Sequence, residues 1–428
     1  MLYALVRPVA KTGFKVFFRH IHIQGLENIP REGPLLLAAN HPTAFIEPCV
    51  AACFQHRTLH FIVRGDIFKN PFYIKILKAL HLIPIFRFKD GYTNLKQNQE
   101  TFRYVNQVLQ ERKTIFILAE GRTIQEKKLR PLQKGPARMA FGAYDAYGVK
   151  DTKIIPIGFN YEQANAWRKD VMIQCGTPIS VADFIPAYHE NPLQAIQSLT
   201  DEIASGLAKN LVIIHDVQDE QACDILFEIT KNDHSSPVFP IVIRNNERLI
   251  TEKKIAAAFN NISEPEKSKL STIANIYRHQ LEQYKIVDAN VIVGKSAATF
   301  PAILLLIILQ ILFLPGALYY FIPVMTARMM TSKRVYVKEF QAPVLFALSA
   351  FFVLIWSIFS LTSGIMLFGV RSIIMILILL LFGFLSIPVY EALMRNLSQR
   401  RFNRLQAETQ QELFSSRNTM REWIQKNI

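Results

Sequence analysis

Short apolar runs alternate with longer helical periods from Ile21 to about Ala208. Apolar runs bounded by turn residues predict strands at Ile21–Gln24, Leu35–Asn40, Leu59–Val63, Leu82–Phe86, Thr114–Ala119 and Ile154–Phe159. Between them, helical spacing predicts helices near Phe45–Phe54, Pro71–Leu80, Tyr92–Gln110 and Lys134–Tyr147. Strands alternating with helices make residues 21–208 an α/β domain. Ahead of it, Arg7, Lys11, Lys15 and Arg19 recur every fourth position among Leu5, Val6, Val9, Phe14, Phe17 and Phe18. That pattern predicts an amphipathic helix over residues 1–20 that lies in the headgroup region of a membrane. Residues 209–295 are more polar, form a helical extension and carry no catalytic motif.

The pattern then changes abruptly. Ser296–Ala327, Gln341–Val370 and Ser372–Tyr390 carry no formal charge, and each is long enough to span a bilayer, which takes about 20 apolar residues. Residues 296–392 are therefore expected to be membrane-embedded helices, and 393–428 a basic helical tail. Three full spans would put Arg328, Lys333, Arg334 and Lys338 opposite the α/β domain, together with the tail of Arg395, Arg400, Arg401 and Arg404. Both placements run against the bias that keeps basic segments in the cytosol. The expected solution is that Pro315-Gly316 breaks the first run into a re-entrant hairpin. The second and third runs then form a hairpin turning near Phe368–Arg371, and every basic segment shares the cytosolic side.

Charge agrees with a membrane partner. The chain has 428 residues, a formal charge of +15 and 50% hydrophobic residues. Such a balance attracts polyanions, and the apolar C-terminal third selects an anionic leaflet over nucleic acid. Arg7, Lys11 and Lys15 interrupt the first apolar stretch, so it does not read as a signal peptide. Cys49, Cys53, Cys175 and Cys223 form no CxxC pair or disulfide framework, as expected in a reduced, cytosol-facing compartment.

Reactive side chains gather where strands should emerge into loops. Asn40-His41-Pro42 through Glu47 closes one apolar run, and Glu120-Gly121-Arg122-Thr123 closes another. In open α/β sheets that edge binds ligands. A neutral imidazole at His41, held through its other nitrogen by the Glu47 carboxylate, can take a proton from a hydroxyl. Arg87, at the end of a third run, has a fork suited to phosphate. Gly121 lets backbone N–H groups approach an anion, and Lys134 with the helix N-terminus after it adds positive potential. A metal centre is not expected. His56 and His60 are spaced to share one face of a helix, but no Glu follows His56 as a zinc protease would need, and His20 and His22 fall on a strand. No Gly-x-Ser-x-Gly elbow supports a serine hydrolase.

In order along the chain stand Asn-His-Pro…Glu47, Ile-Pro-Ile-Phe-Arg87, Glu120-Gly-Arg, Leu129-Arg-Pro-Leu-Gln-Lys-Gly135 and Ile155-Pro-Ile-Gly158. Together they resemble the four blocks of the glycerolipid acyltransferases, the glycerol-3-phosphate and 1-acylglycerol-3-phosphate (lysophosphatidic acid) O-acyltransferase family. The resemblance covers roughly Ile21 to Ala208. It implies a central mixed sheet flanked by helices, with His41 as general base and Glu47 as its orienting carboxylate. It also implies that Arg87, Glu120, Gly121 and Arg122 bind the glycerol phosphate, and that Pro156 lies near the acyl-binding wall. Acyl thioesters of coenzyme A or acyl carrier protein are the implied donors, as substrates, with no cofactor or metal. Two departures stand out: five residues rather than the usual four separate His41 from its carboxylate, which is Glu, and Ala119 replaces the usual proline before Glu-Gly. The expected function is a membrane-bound acyltransferase of phospholipid synthesis, its catalytic domain facing the cytosol. The alternative is a non-enzymatic lipid-binding or lipid-transport protein with an acyltransferase-like domain.

Overall fold

The computed structural model describes residues 2–68, 70–86, 98–234, 238–294 and 300–428. Arg87 and the first residues of the helix expected over Tyr92–Gln110 lie outside them. The chain divides into two compact units, one of residues 1–213 and 241–249, the other of residues 214–240 and 250–428.

The first unit is built on nine strands: β1 (Ile21–Gln24), β2 (Leu35–Ala39), β3 (Leu59–Arg64), β4 (Leu82–Ile85), β5 (Thr114–Leu118), β6 (Lys153–Tyr161), β7 (Val171–Cys175), β8 (Ile179–Ser180) and β9 (Val242–Ile243). Their order is β4-β3-β5-β2-β6-β7-β1-β9, with β8 paired to β6. All pairs along that path are parallel except β6 with β7, so the sheet is mixed. Every residue of β2 is fully buried. A central parallel strand is covered on both faces, which is why its sequence is an unbroken apolar run rather than an alternating one.

Among the described residues, seven α-helices belong to this unit: α1 (Leu2–Phe17), α2 (Ile46–Phe54), α3 (Pro71–Ala79), α4 (Asn98–Gln110), α5 (Gly135–Tyr147), α6 (Ile185–Glu190) and α7 (Pro192–Ala208). Val105, Val108 and Leu109 of α4, Ala137, Met139, Ala140 and Phe141 of α5, and Leu199, Ile203 and Leu207 of α7 join one apolar core with strand residues Leu36, Ala38, Ile115 and Ile154. The amphipathic α1 is of two parts. Phe14 and Phe17, with Phe18 just beyond, are buried in the core, whereas Leu5, Val6 and Val9 are exposed. Only the first turns of α1 are therefore open to a membrane surface.

The remaining helices are α8 (Glu220–Asp233), α9 (Glu247–Asn261), α10 (Glu264–Tyr284), α11 (Asp288–Val293), α12 (Phe300–Arg334), α13 (Lys338–Phe368), α14 (Arg371–Asn403) and α15 (Ala407–Asn427). In the second unit Arg417 of α15 is buried, its Nε 2.9 Å from Asp288 Oδ1 and its Nη2 2.6 Å from Asp233 Oδ1. Tyr277 donates to the same Asp288 oxygen at 2.6 Å. A buried cation between two carboxylates satisfies all three groups and ties α8, α10, α11 and α15 together.

Helices α12, α13 and α14 are long and apolar enough to cross a membrane. The break expected at Pro315-Gly316 does not occur, because α12 runs unbroken from Phe300 to Arg334 with Pro315 and Pro323 inside it. Gly316 instead marks a close approach: a Cβ there would collide with the Gly383 backbone of α14, and one on Gly383 would strike the Tyr320 ring. Small residues let two apolar helices come together. The Phe313 and Phe382 rings meet at 5.2 Å, and the Arg400 guanidinium lies 5.7 Å from the centre of the Phe300 ring. The first half of α12 therefore runs antiparallel to the second half of α14, with Phe300 and Arg400 close together.

Candidate active site

The parallel register of β2 and β5 pairs Ala39 with Leu118, so His41 and Glu120 emerge from neighbouring strands at one edge of the sheet. Asn40 fixes the exit of β2. Its amide donates to Phe159 O at 3.0 Å and accepts from Phe159 N at 2.8 Å, which pins it to β6. The N–H of Ala119 bonds Ala39 O at 2.8 Å, and that of Ile124 bonds His41 O at 3.4 Å, so the two loops lie against each other.

Glu47 sits in the first turn of α2 and is wholly buried. Its Oε1 accepts from Thr43 N at 3.0 Å and from the Tyr161 hydroxyl at 3.1 Å. Thr43 Oγ1 in turn accepts from Ile46 N at 3.2 Å, a reciprocal cap of the helix start. The second oxygen, Oε2, lies 3.8 Å from His41 Nδ1, and among the described residues neither atom has a hydrogen-bond partner. Two buried polar atoms facing each other at that distance are poised to close, since catalytic hydrogen bonds commonly tighten when substrate binds. Burial and the Glu47 charge hold the Tyr161 hydroxyl well above its ordinary pKa, so it remains a donor to the carboxylate.

On the other side of the ring, His41 Nε2 lies 2.7 Å from Thr123 Oγ1. The imidazole thus stands between a carboxylate and a hydroxyl. That is the arrangement of a base with its orienting partner behind it.

Glu120, expected to contact the acceptor, ties the two loops together. It is buried, with Oε2 accepting from His41 N at 2.8 Å and Oε1 from Arg130 N at 3.1 Å, and the Arg130 guanidinium lies 3.8 Å away. Its carboxylate is committed to holding the two loops. Gly121 follows with φ of +68°, a left-handed conformation that favours glycine, and a Cβ there would press on Gln133. Arg122 is exposed at the loop surface, and Lys134 stands exposed at the start of α5. The N–H of Gln133 bonds Ala119 O at 2.8 Å, which brings the positive end of α5 up to the end of β5. Exposed Arg122 and Lys134, like that helix end, carry the positive charge that a phosphate requires. Pro156 lies inside β6 opposite Ala38, buried against Gly176 and Gly206.

Other histidines have structural surroundings. His56 falls beyond the end of α2 and His60 within β3, so they do not share a helix face as expected. His20, His22 and Asp170 bring three potential metal donors within 4.8 Å of one another. Arg248 pairs with the same Asp170, and the coulombic effect of its charge helps to lower the His22 pKa to about 4, after desolvation as the main cause. The guanidinium already supplies the cation there.

Sequence reasoning missed Thr123, Thr43, Arg130 and Tyr161. Thr123 directly follows the Glu120-Gly121-Arg122 block, so adjacency was an available signal. Tyr161 carried none, because it closes a strand whose length was underestimated.

Residues 20–160 match the family model described as Acyltransferase. Over 186 residues, 42% of this chain, the sequence is 24% identical to glycerol-3-phosphate O-acyltransferase 1 of Saccharomyces cerevisiae. Over 117 residues, 27% of the chain, it is 28% identical to glycerol-3-phosphate O-acyltransferase 2 of the same yeast. These stretches take in 24% and 16% of the two yeast proteins, so the chain matches a quarter of their length or less. The crystal structure of the 1-acyl-sn-glycerophosphate acyltransferase from Thermotoga maritima is 16% identical, covering 48% of this chain and 80% of that one with a TM-score of 0.34.

Proposed function

We propose, for a chain whose residues 20–160 match the acyltransferase family model, that it moves a fatty acyl group from a thioester to the hydroxyl of glycerol 3-phosphate or its monoacyl derivative. The observation that carries this reading is the facing pair of His41 Nδ1 and buried Glu47 Oε2, 3.8 Å apart. With Nδ1–H turned to the carboxylate, Nε2 is a proton acceptor. The acceptor hydroxyl attacks the thioester carbonyl as Nε2 takes its proton, and the negative Glu47 steadies the imidazolium. The tetrahedral intermediate collapses, the C–S bond breaks, and the proton passes from His41 to the departing thiolate. Arg122, Lys134 and the N-terminus of α5 hold the acceptor phosphate, and Arg87 is proposed to join them. Pro156 is proposed to back the acyl wall. Acyl-coenzyme A and acyl carrier protein thioesters are the two donor forms the reading admits.

The product partitions into lipid, and the length and apolarity of α12 to α14 support a membrane location for the chain. The Phe300–Arg400 contact favours an even number of crossings, which requires that not all three of α12 to α14 span fully. The reading therefore keeps the basic tail on the same face as the catalytic unit, and that face is the cytosol.

The test uses the full-length chain in detergent with an acyl thioester and a panel of glycerol phosphate, its monoacyl derivative and other lysolipids, scoring free thiol and ester product. Transfer to a phosphate-bearing acceptor is expected. His41→Ala should lower turnover by roughly 100-fold or more, the scale of losing a general base. Lipid binding without turnover would overturn this reading in favour of a lipid-carrying protein.

A further inference from the structure

A neutral imidazole with its proton on Nδ1 offers a single lone pair, on Nε2. In that tautomer the lone pair faces Thr123 Oγ1 at 2.7 Å, so the hydroxyl is its donor. Three features put the hydroxyl there. Gly121 turns the chain through a left-handed conformation, Ile124 N bonds His41 O at 3.4 Å, and Glu120 holds His41 N at 2.8 Å. The contact is thus built by the loop and does not depend on a free rotamer of an exposed residue; Thr123 is half-buried.

The reaction proposed above requires the acceptor hydroxyl to sit on that same lone pair. Two hydroxyls cannot both donate to it, so the acceptor reaches the base only by displacing Thr123. The same holds for water. Water attack on the thioester would form a C–O bond, break the C–S bond, and send the water proton through His41 to the thiolate, releasing fatty acid. We propose that Thr123 is a positioning residue that occupies the base until an acceptor hydroxyl replaces it, and so favours transfer over thioester hydrolysis. The inference rests on the acyltransfer reading and adds to it a determinant of which hydroxyl may react.

An incoming phosphate-bearing acceptor is held by several charged contacts and can displace one neutral hydrogen bond. A lone water cannot draw on those contacts. Removing the hydroxyl should therefore help water more than acceptor.

The experiment measures fatty acid release and ester formation by the full-length enzyme, with intact-mass analysis after incubation with acyl thioester alone. Thr123→Ala should raise the ratio of hydrolysis to transfer roughly tenfold, the scale of one lost hydrogen bond. Acceptor KM should fall in the same variant, since nothing need be displaced. Thr123→Ser retains the hydroxyl and should restore the parent ratio, which a merely structural role would not require. An unchanged ratio in a folded, active Thr123→Ala enzyme overturns the proposal. A mass gain of one acyl group on Thr123 also overturns it, because the hydroxyl would then be a nucleophile rather than an occupant. Failure of the acyltransfer reading is distinct, since the parent enzyme would then form no ester at all.

Discussion

Glu47 shows how a carboxylate outside the familiar spacing can still face the imidazole. Five residues separate it from His41, and the reciprocal cap with Thr43 fixes it in the first turn of α2. The longer side chain reaches Thr43 N and the Tyr161 hydroxyl with one oxygen and faces the imidazole with the other. Glu47→Gln keeps the size and removes the charge, so turnover should fall by about 100-fold, on the scale of general-base catalysis. Glu47→Asp should retain partial activity. Tyr161→Phe deletes one donor to the carboxylate and should cost about 1–3 kcal/mol of stability or of barrier, as for a hydrogen bond to a charged group. Steady-state kinetics of the three variants checks the order. Equal activity in Glu47→Gln and Glu47→Asp would assign the orientation of His41 to another residue.

At the level of elements, the ends of β2 and β5 carry the site, and the β3–β4 edge carries a different property. His60 of β3 is buried and stacked on His81 at 4.7 Å, and Tyr3 of α1 stacks on His81 at 5.2 Å. Desolvation, with the neighbouring His81, lowers the His60 pKa from 6.5 to about 4. The folded pKa is below the unfolded one, so between those values the unfolded chain binds more protons. Stability conferred by neutral His60 is present above the unfolded pKa and is lost as pH falls from about 6.5 toward 4. The loss between pH 7 and pH 5 should be about 2 kcal/mol. Thermal unfolding of the solubilised protein across that range should show the drop, and His60→Gln, which cannot protonate, should flatten it. An equal slope in the variant would mean that other groups set the acid sensitivity.

For the membrane topology proposed above, the contact of Phe300 with Arg400 weighs more than helix length does. Three helices of adequate length suggest three spans, which would separate the tail from the catalytic unit. An antiparallel pairing of the first half of α12 with the last half of α14 keeps both ends together. Cysteines introduced at exposed Gln107 of α4 and exposed Ser415 of α15 test this with an impermeant thiol reagent in sealed, right-side-out vesicles. The native Cys53, Cys175 and Cys223 are buried, and burial pushes the Cys175 thiol up to about 12, so background labelling should be low. Both introduced sites should resist labelling until lysis. Labelling of one without the other would show an odd number of crossings.

The sequence alone determined the elements whose burial leaves a one-dimensional trace. β2 and β5 are apolar throughout because both faces of a central parallel strand are covered, and the uncharged stretches of α12 to α14 follow from the same need to avoid burying charge. His41, Glu47 and Glu120 were legible because polar groups directly after such runs must emerge at the sheet edge. The short strands β8 and β9 were not, since two residues make no pattern and depend on β6 and β1 for their hydrogen bonds. Tertiary structure alone decided that Glu120 accepts from His41 N, that Thr123 meets Nε2, and that Tyr161 reaches Glu47 from a sequence distance of 114 residues. It also decided that Pro315-Gly316 marks a helix contact and not a break, because Gly383 of a distant helix takes up the space a side chain would need. Local sequence fixes what a backbone segment prefers and which side chains must be hidden. Which buried polar atoms meet depends on register between strands far apart in the chain, and no local preference encodes that.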